Sequence, residues 1–163
     1  MGQSDLKCIF APIISRSTNC KKRDTYIHRV QYYETDKMGV THHSNYVRWM
    51  EEARVDFLDK IGFGYRKLEE DGIISPVLAV ECEFKNPTVF ADSVEIEVKV
   101  SEFRGVRLTI EYVMRKLPGG ELVLKGRTRH CFVDSAGRPI ILDHSFPEFS
   151  QKLKELMEEN DSR

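Results

Sequence analysis

The stretch QYYETDKMGVTHHSNYVRWMEEAR, Gln31 to Arg54, changes its period in the middle. Up to Tyr33 it continues a run from Thr25 rich in β-branched and aromatic residues, the composition of a strand. From Tyr46 onward the apolar residues Tyr46, Trp49, Met50, Ala53, Phe57 and Ile61 recur at steps of three and four, which is one face of a helix. The spacing predicts a strand over 25–33 and a helix over 44–61, with Ser44 or Asn45 as its N-cap. The loop between them carries a lone carboxylate, Asp36, then Met38-Gly39, then His42 and His43. An acid and two imidazoles therefore precede a helix N-terminus, where backbone N–H groups are unpaired and the field is positive. A carboxylate beside free N–H donors can attack a carbonyl, or activate water against it, while the donors hold the oxyanion. Gly39 has a backbone task there, a positive φ or a close approach by a ligand.

Working outward, Gly62 and Gly64 end the long helix, and a short helix over 65–71 is closed by Gly72. Four strand-like runs follow, over 74–86, 93–103, 106–116 and 121–134. In the first, Leu78, Val80, Cys82 and Phe84 face one way; in the second, Val94, Ile96, Val98 and Val100 alternate with Glu95, Glu97 and Lys99. Gly126, inside the last run, predicts a bulge or a close approach by a ligand or another backbone. A C-terminal helix is expected over 146–158. One long helix with mostly hairpin-joined strands is an α+β arrangement, a helix on an antiparallel sheet.

The length of 163 residues suits one domain with one core. We divide it into an N-terminal extension, 1–23, without clear period, and a single domain over 24–163. Ile13 and Ile14 of the extension are candidates for packing on a partner subunit, and Lys21-Lys22-Arg23 for a solvated basic surface. A formal net charge of −1 provides no basic field for nucleic acid. No apolar run reaches the roughly 18–20 residues of a membrane helix. The cysteines, Cys8, Cys20, Cys82 and Cys131, form no C-x-x-C pair and no zinc pattern, so no metal is expected and a reducing cytoplasm is the simplest compartment.

The quoted stretch resembles the 4-hydroxybenzoyl-CoA thioesterase branch of the hotdog-fold acyl-CoA thioesterases, including the Tol–Pal-cluster type. The matching residues are Glu34-Thr35-Asp36-Lys37-Met38-Gly39, then His43-Ser44-Asn45-Tyr46, then Glu51-Glu52-Ala53-Arg54. The resemblance implies a hotdog fold, a long central helix wrapped by an antiparallel sheet of about five strands. It implies a homodimer or homotetramer with active sites between subunits, and an acyl-CoA or acyl-carrier-protein thioester as substrate, without a cofactor. By the same resemblance Asp36 is nucleophile or general base, and His43 assists through its imidazole or its backbone N–H. Gly39, Val40, His42, Asn45 and Tyr46 line the substrate site, while Glu51 and Arg54 form structural ion pairs or hydrogen bonds holding helix to loop. CoA phosphates call for cations, with Lys85, Arg104, Arg107, Arg127, Arg129 and Arg138 as candidates. A non-catalytic acyl-CoA sensor and a hotdog dehydratase or hydratase are the competing readings.

Overall fold

The structure, a computed structural model, describes residues 25–161. The extension, its basic cluster, Ile13, Ile14, Cys8 and Cys20 lie outside the described residues. The elements run β1 (Thr25–Arg29), a 3-10 turn (Tyr32–Glu34), α1 (His43–Lys60), α2 (Tyr65–Glu70), β2 (Val77–Phe84), β3 (Ser93–Arg104), β4 (Arg107–Leu117), β5 (Glu121–Cys131), α3 (Leu142–Ser145) and α4 (Pro147–Asp161). The strands form one five-stranded sheet in the order β1-β3-β4-β5-β2, and every pairing is antiparallel. No described helix is long and apolar enough to cross a membrane.

The alternation read in the sequence places one face of this sheet in the core. Ile96 opposes Met114, Val98 opposes Tyr112 and Val100 opposes Ile110, and all six side chains are buried. Against that face α1 lays Trp49, Met50, Ala53 and Phe57, and α4 adds Phe149 and Leu153 to the same cluster. The ring of Phe63, just beyond α1, stacks on Phe149 at 4.7 Å between centroids. Gly126 opposes Tyr112 in regular register, so it makes no bulge. It is instead where the Met50 side chain of α1 packs directly on the strand backbone, since a Cβ there would lie 2.5 Å from Met50 Sδ.

Several boundaries differ from those read in the sequence. β1 ends at Arg29, not Tyr33, because the chain curls into the 3-10 turn as Glu34 takes the Gln31 N–H onto its side chain at 2.7 Å. β2 begins at Val77, not Ile74, because Pro76 offers no N–H; Ile74 makes only an isolated bridge to Val133. β5 stops at Cys131, and the short α3 was not foreseen. Val80, Cys82 and Phe84 do share a face, opposite Thr128, Gly126 and Leu124, but the register shifts between Val77 and Ala79 and takes Leu78 out of the alternation. On the edge strand Leu78, Val80 and Phe84 remain exposed.

A polar group sits inside this core. Arg54 donates from Nε to Tyr65 Oη at 2.9 Å and from Nη1 to Tyr112 Oη at 3.4 Å, and Thr128 bridges Tyr112 and His130. Burial, with the charge of Arg54 behind it, pushes the His130 pKa down from 6.5 to about 4. The sign follows from linkage: between about pH 6.5 and 4 the unfolded chain binds a proton on this residue and the native chain does not. The stabilisation is complete above that window and falls as the pH falls through it. Thermal unfolding followed by circular dichroism from pH 7 to pH 4 is expected to show a falling midpoint, with a shallower slope in His130→Gln. An unchanged slope would remove His130 as the cause.

Candidate functional site

Thr35 and Thr41 face each other in an isolated antiparallel bridge, and the loop between them is a tight turn. The Asp36 N–H bonds the Val40 carbonyl at 2.9 Å, and the Gly39 N–H bonds the Asp36 carbonyl at 2.9 Å. Gly39 has φ +76°, the left-handed conformation its position called for. Asp36 is half-buried, and its Oδ1 accepts from the Met38 N–H at 2.7 Å. One carboxylate oxygen thus shapes the turn in the manner of an Asx turn. The other has no partner among the described residues.

The ladder continues toward the helix, with the His42 N–H on the Glu34 carbonyl and the Thr41 N–H on the Thr88 carbonyl, both at 2.8 Å. α1 then starts without a spacer. Its N-cap is His42, in place of the expected Ser44 or Asn45, with Nδ1 accepting from the Ser44 N–H at 3.3 Å. The imidazole nitrogen does the work an Asp or Ser oxygen does elsewhere. His43 is the first residue of the helix, exposed, its ring centroid 4.2 Å from that of His42. Its backbone N–H has no partner among the described residues, whereas the Asn45 N–H returns to the His42 carbonyl. Asp36 and His43 flank the same junction, and no hydrogen bond joins their side chains.

The other expected site residues divide into two groups. Gly39 and His42 are exposed and Val40 is half-buried, with Val40 paired to Val89 in an isolated bridge. Asn45 and Tyr46 lie beneath them, buried. Asn45 Nδ2 donates to the Glu34 carbonyl at 2.8 Å, and Tyr46 Oη meets Thr88 Oγ1 at 3.0 Å. Both hold the loop and helix in place rather than presenting a group at the surface. Tyr32, Tyr33, Met38, Val89 and Phe90 form an exposed apolar rim on this side of the molecule, with Tyr32 and Phe90 in edge contact.

Residues that sequence reasoning passed over carry much of the architecture. Glu34 is 4% exposed and receives Trp49 Nε1 at 2.7 Å, the Gln31 N–H at 2.7 Å and His28 Nε2 at 2.9 Å. Burial alone would raise its pKa; the bonds from Gln31, His28 and Trp49 outweigh that and hold it below the usual carboxylate value. Thr88, fully buried, ties Thr41 to Tyr46. The only signal for Glu34 was its place in the quoted motif, where the strand pattern ends. Glu51 and Arg54 were expected to form ion pairs or hydrogen bonds holding helix to loop; Arg54 does form hydrogen bonds, but to α2 and β4 instead of the loop. Arg54 binds two phenols, and Glu51 is exposed without a described partner; the bonded carboxylate is its neighbour Glu52, on His28 and Tyr26. Among the candidate phosphate-binding cations, Lys85, Arg104, Arg127, Arg129 and Arg138 pair with carboxylates, which leaves Arg107 without a described acidic partner.

Residues 30–157 match the thioesterase-like superfamily. A putative esterase of Aquifex aeolicus is 40% identical over 108 residues, 66% of this chain and 83% of the relative. The putative acyl-CoA thioesterase YneP of Bacillus subtilis is 31% identical over 121 residues, 74% of this chain and 87% of the relative. Among solved structures, a DHNA-CoA thioesterase from Staphylococcus aureus superposes with a TM-score of 0.80 at 32% identity, covering 85% of this chain and 93% of that one.

Proposed function

Because the chain belongs to the thioesterase-like superfamily, matched over residues 30–157, we propose that it hydrolyses acyl-CoA thioesters to a free acid and CoA thiol. The observation that carries the reading is the Asp36 carboxylate, with one oxygen fixed by the turn and the other free, at the start of a helix whose first N–H is open. The free oxygen attacks the thioester carbonyl, or takes a proton from the water that does. The His43 N–H, at the positive end of α1, polarises the carbonyl and holds the oxyanion, and the His43 imidazole assists. On the water route, collapse expels the thiolate, a good leaving group that takes up the proton Asp36 drew from water. On the nucleophilic route, collapse expels the thiolate and leaves an Asp36 acyl anhydride, which water cleaves to the free acid and the restored carboxylate while the thiolate takes up the remaining proton. An acyl-carrier-protein arm offers the same thioester.

The Glu34-x-Asp36-x-x-Gly39 and Glu51-Glu52-Ala53-Arg54 matches support placement in the 4-hydroxybenzoyl-CoA or Tol–Pal branch. Gly39, Val40 and His42, with the apolar rim, are the surface we assign to the acyl group. We take residues 24–163 as one catalytic domain. The exposed Leu78, Val80 and Phe84 of the edge strand support a homodimer or homotetramer with sites between subunits.

The test is thiol release by the wild-type protein from aromatic, short-chain and long-chain acyl-CoAs, with an enoyl-CoA assayed for hydration. Release from at least one class, without hydration, is the expected result. Binding of acyl-CoA without release would favour a sensor, and turnover of the enoyl-CoA a hydratase.

A further inference from the structure

We infer that Glu34 is a positioning residue: its buried carboxylate ties β1 to α1 behind the Asp36 turn, through His28 and Trp49, and so holds the Glu34 carbonyl that anchors the start of α1 and fixes the catalytic geometry. The inference rests on the thioesterase reading above and adds a residue that never touches substrate.

Three elements converge on this one side chain. His28 comes from β1, Gln31 from the link and Trp49 from α1, and each gives a donor to the carboxylate. The main-chain carbonyl of the same residue takes the His42 N–H and Asn45 Nδ2, at the other side of the site. Asp36 follows Glu34 by two residues, and His43 follows His42 by one. A shift of Glu34 therefore moves the carboxylate and the oxyanion donor relative to each other.

The clamp has a second tier. His28, itself buried, sets Nδ1 against Glu52 Oε2 at 3.1 Å, and Tyr26 Oη donates to the same oxygen at 3.1 Å. With a carboxylate oxygen on each ring nitrogen, both contacts are hydrogen bonds only when the ring holds both protons. The ring also stacks on Trp49, with centroids 4.4 Å apart. Burying charges in this way stabilises a fold no better than well-packed apolar side chains do. What it supplies is direction, since a fully satisfied polar network has one arrangement. That is the property a reaction needs from the residues behind its reacting groups.

Glu34→Gln tests the clamp. Its amide presents one acceptor oxygen and two N–H groups where three donors converge, so at least one donor faces a donor. The expected result is a kcat lower by at least about tenfold with KM changed by less than about threefold, because the loss is of geometry in the transition state. Amide exchange of Asp36, Gly39 and His42 should speed up, while that of Ile96 and Ile110 in the sheet stays at the wild-type rate. Trp49 is the single tryptophan, so its emission reports the broken bond directly. Glu34→Asp, which keeps the charge, should recover part of the kcat. Should Glu34→Gln fail to fold, Trp49→Phe removes one donor and keeps a ring, and the same split between kcat and KM is expected at smaller size. A wild-type kcat in the folded variant, or faster exchange spread evenly over sheet and loop, overturns the clamp. If the wild type releases no thiol at all, the thioesterase reading fails, and the local exchange pattern still decides whether Glu34 holds the loop.

Discussion

Asp36→Asn is expected to lower thiol release by at least about a hundredfold, the size of effect that goes with losing an acid–base or nucleophilic group. The choice of asparagine matters, because Asp36 does two things. Its Oδ1 closes the turn through the Met38 N–H, and its other oxygen is free to act. Asparagine keeps a side-chain oxygen for Met38 and the same volume, so the turn persists; it removes only the charge and the basic second oxygen. The unfolding midpoint should therefore stay within about 2 °C of wild type, a change under about 1 kcal/mol for a domain of this size. Asp36→Ala loses the turn contact as well, and should combine a similar loss of activity with a lower midpoint. An active Asp36→Asn would reduce Asp36 to a turn former. Attention would then pass to Glu51, exposed on α1 without a described partner, since Glu52 is already engaged by His28 and Tyr26.

The largest effects on stability are expected where Met50 of α1 packs on Gly126 of β5, and Gly126→Val tests that contact from the strand side. A Cβ at this position lies 2.5 Å from Met50 Sδ and 3.1 Å from Leu124 Cδ2, and Met50 and Leu124 are both fully buried. Valine has good β propensity, so a loss measured here reports the steric conflict rather than the strand. Overpacking of this kind costs about 1–3 kcal/mol, the amount set by how far the buried ends of Met50 and Leu124 give way. The midpoint should fall by roughly 2–12 °C for a domain of this length. Met50→Ala alone should also destabilise, by about 2–5 kcal/mol, as a cavity opens. The double variant should cost at least about 1 kcal/mol less than the sum of the two, the signature of residues in contact. Strict additivity would mean that helix and sheet do not meet at this point.

The helix, the four long strands and the turn that carries Asp36 were legible because each rests on a local signal. Steps of three and four marked α1, alternation marked β3 and β4, and the acid-to-glycine spacing marked the turn. The clamp was not legible, because His28, Glu34 and Trp49 meet across gaps of six and fifteen residues that follow no period. The end of β1 was misread because Tyr32 and Tyr33 have strand composition, yet at 77% and 79% exposed they project from a 3-10 turn. His42 was passed over as N-cap because histidine is not among the usual capping residues, although its Nδ1 is an acceptor of the right reach. The alternation of Val80, Cys82 and Phe84 holds, while the register shift between Val77 and Ala79 takes Leu78 out of it, and alternation states only which residues share a face, not what covers it. Arg54 forms hydrogen bonds as expected, but its burial directs them to the phenols of Tyr65 and Tyr112 instead of to the loop.

The strand order has a consequence for how the molecule is assembled. β3, β4 and β5 form a meander of neighbours in sequence, which closes short loops and so forms early. The reactive turn belongs to the slow part. It needs β1 to find β3 across the chain from Thr25 to Glu97, and Thr41 to find Thr88 across 47 residues. During refolding the meander is therefore expected to precede the turn, and a time course should show sheet signal before thiol release; on gentle heating the reverse order is expected, with activity lost before the sheet.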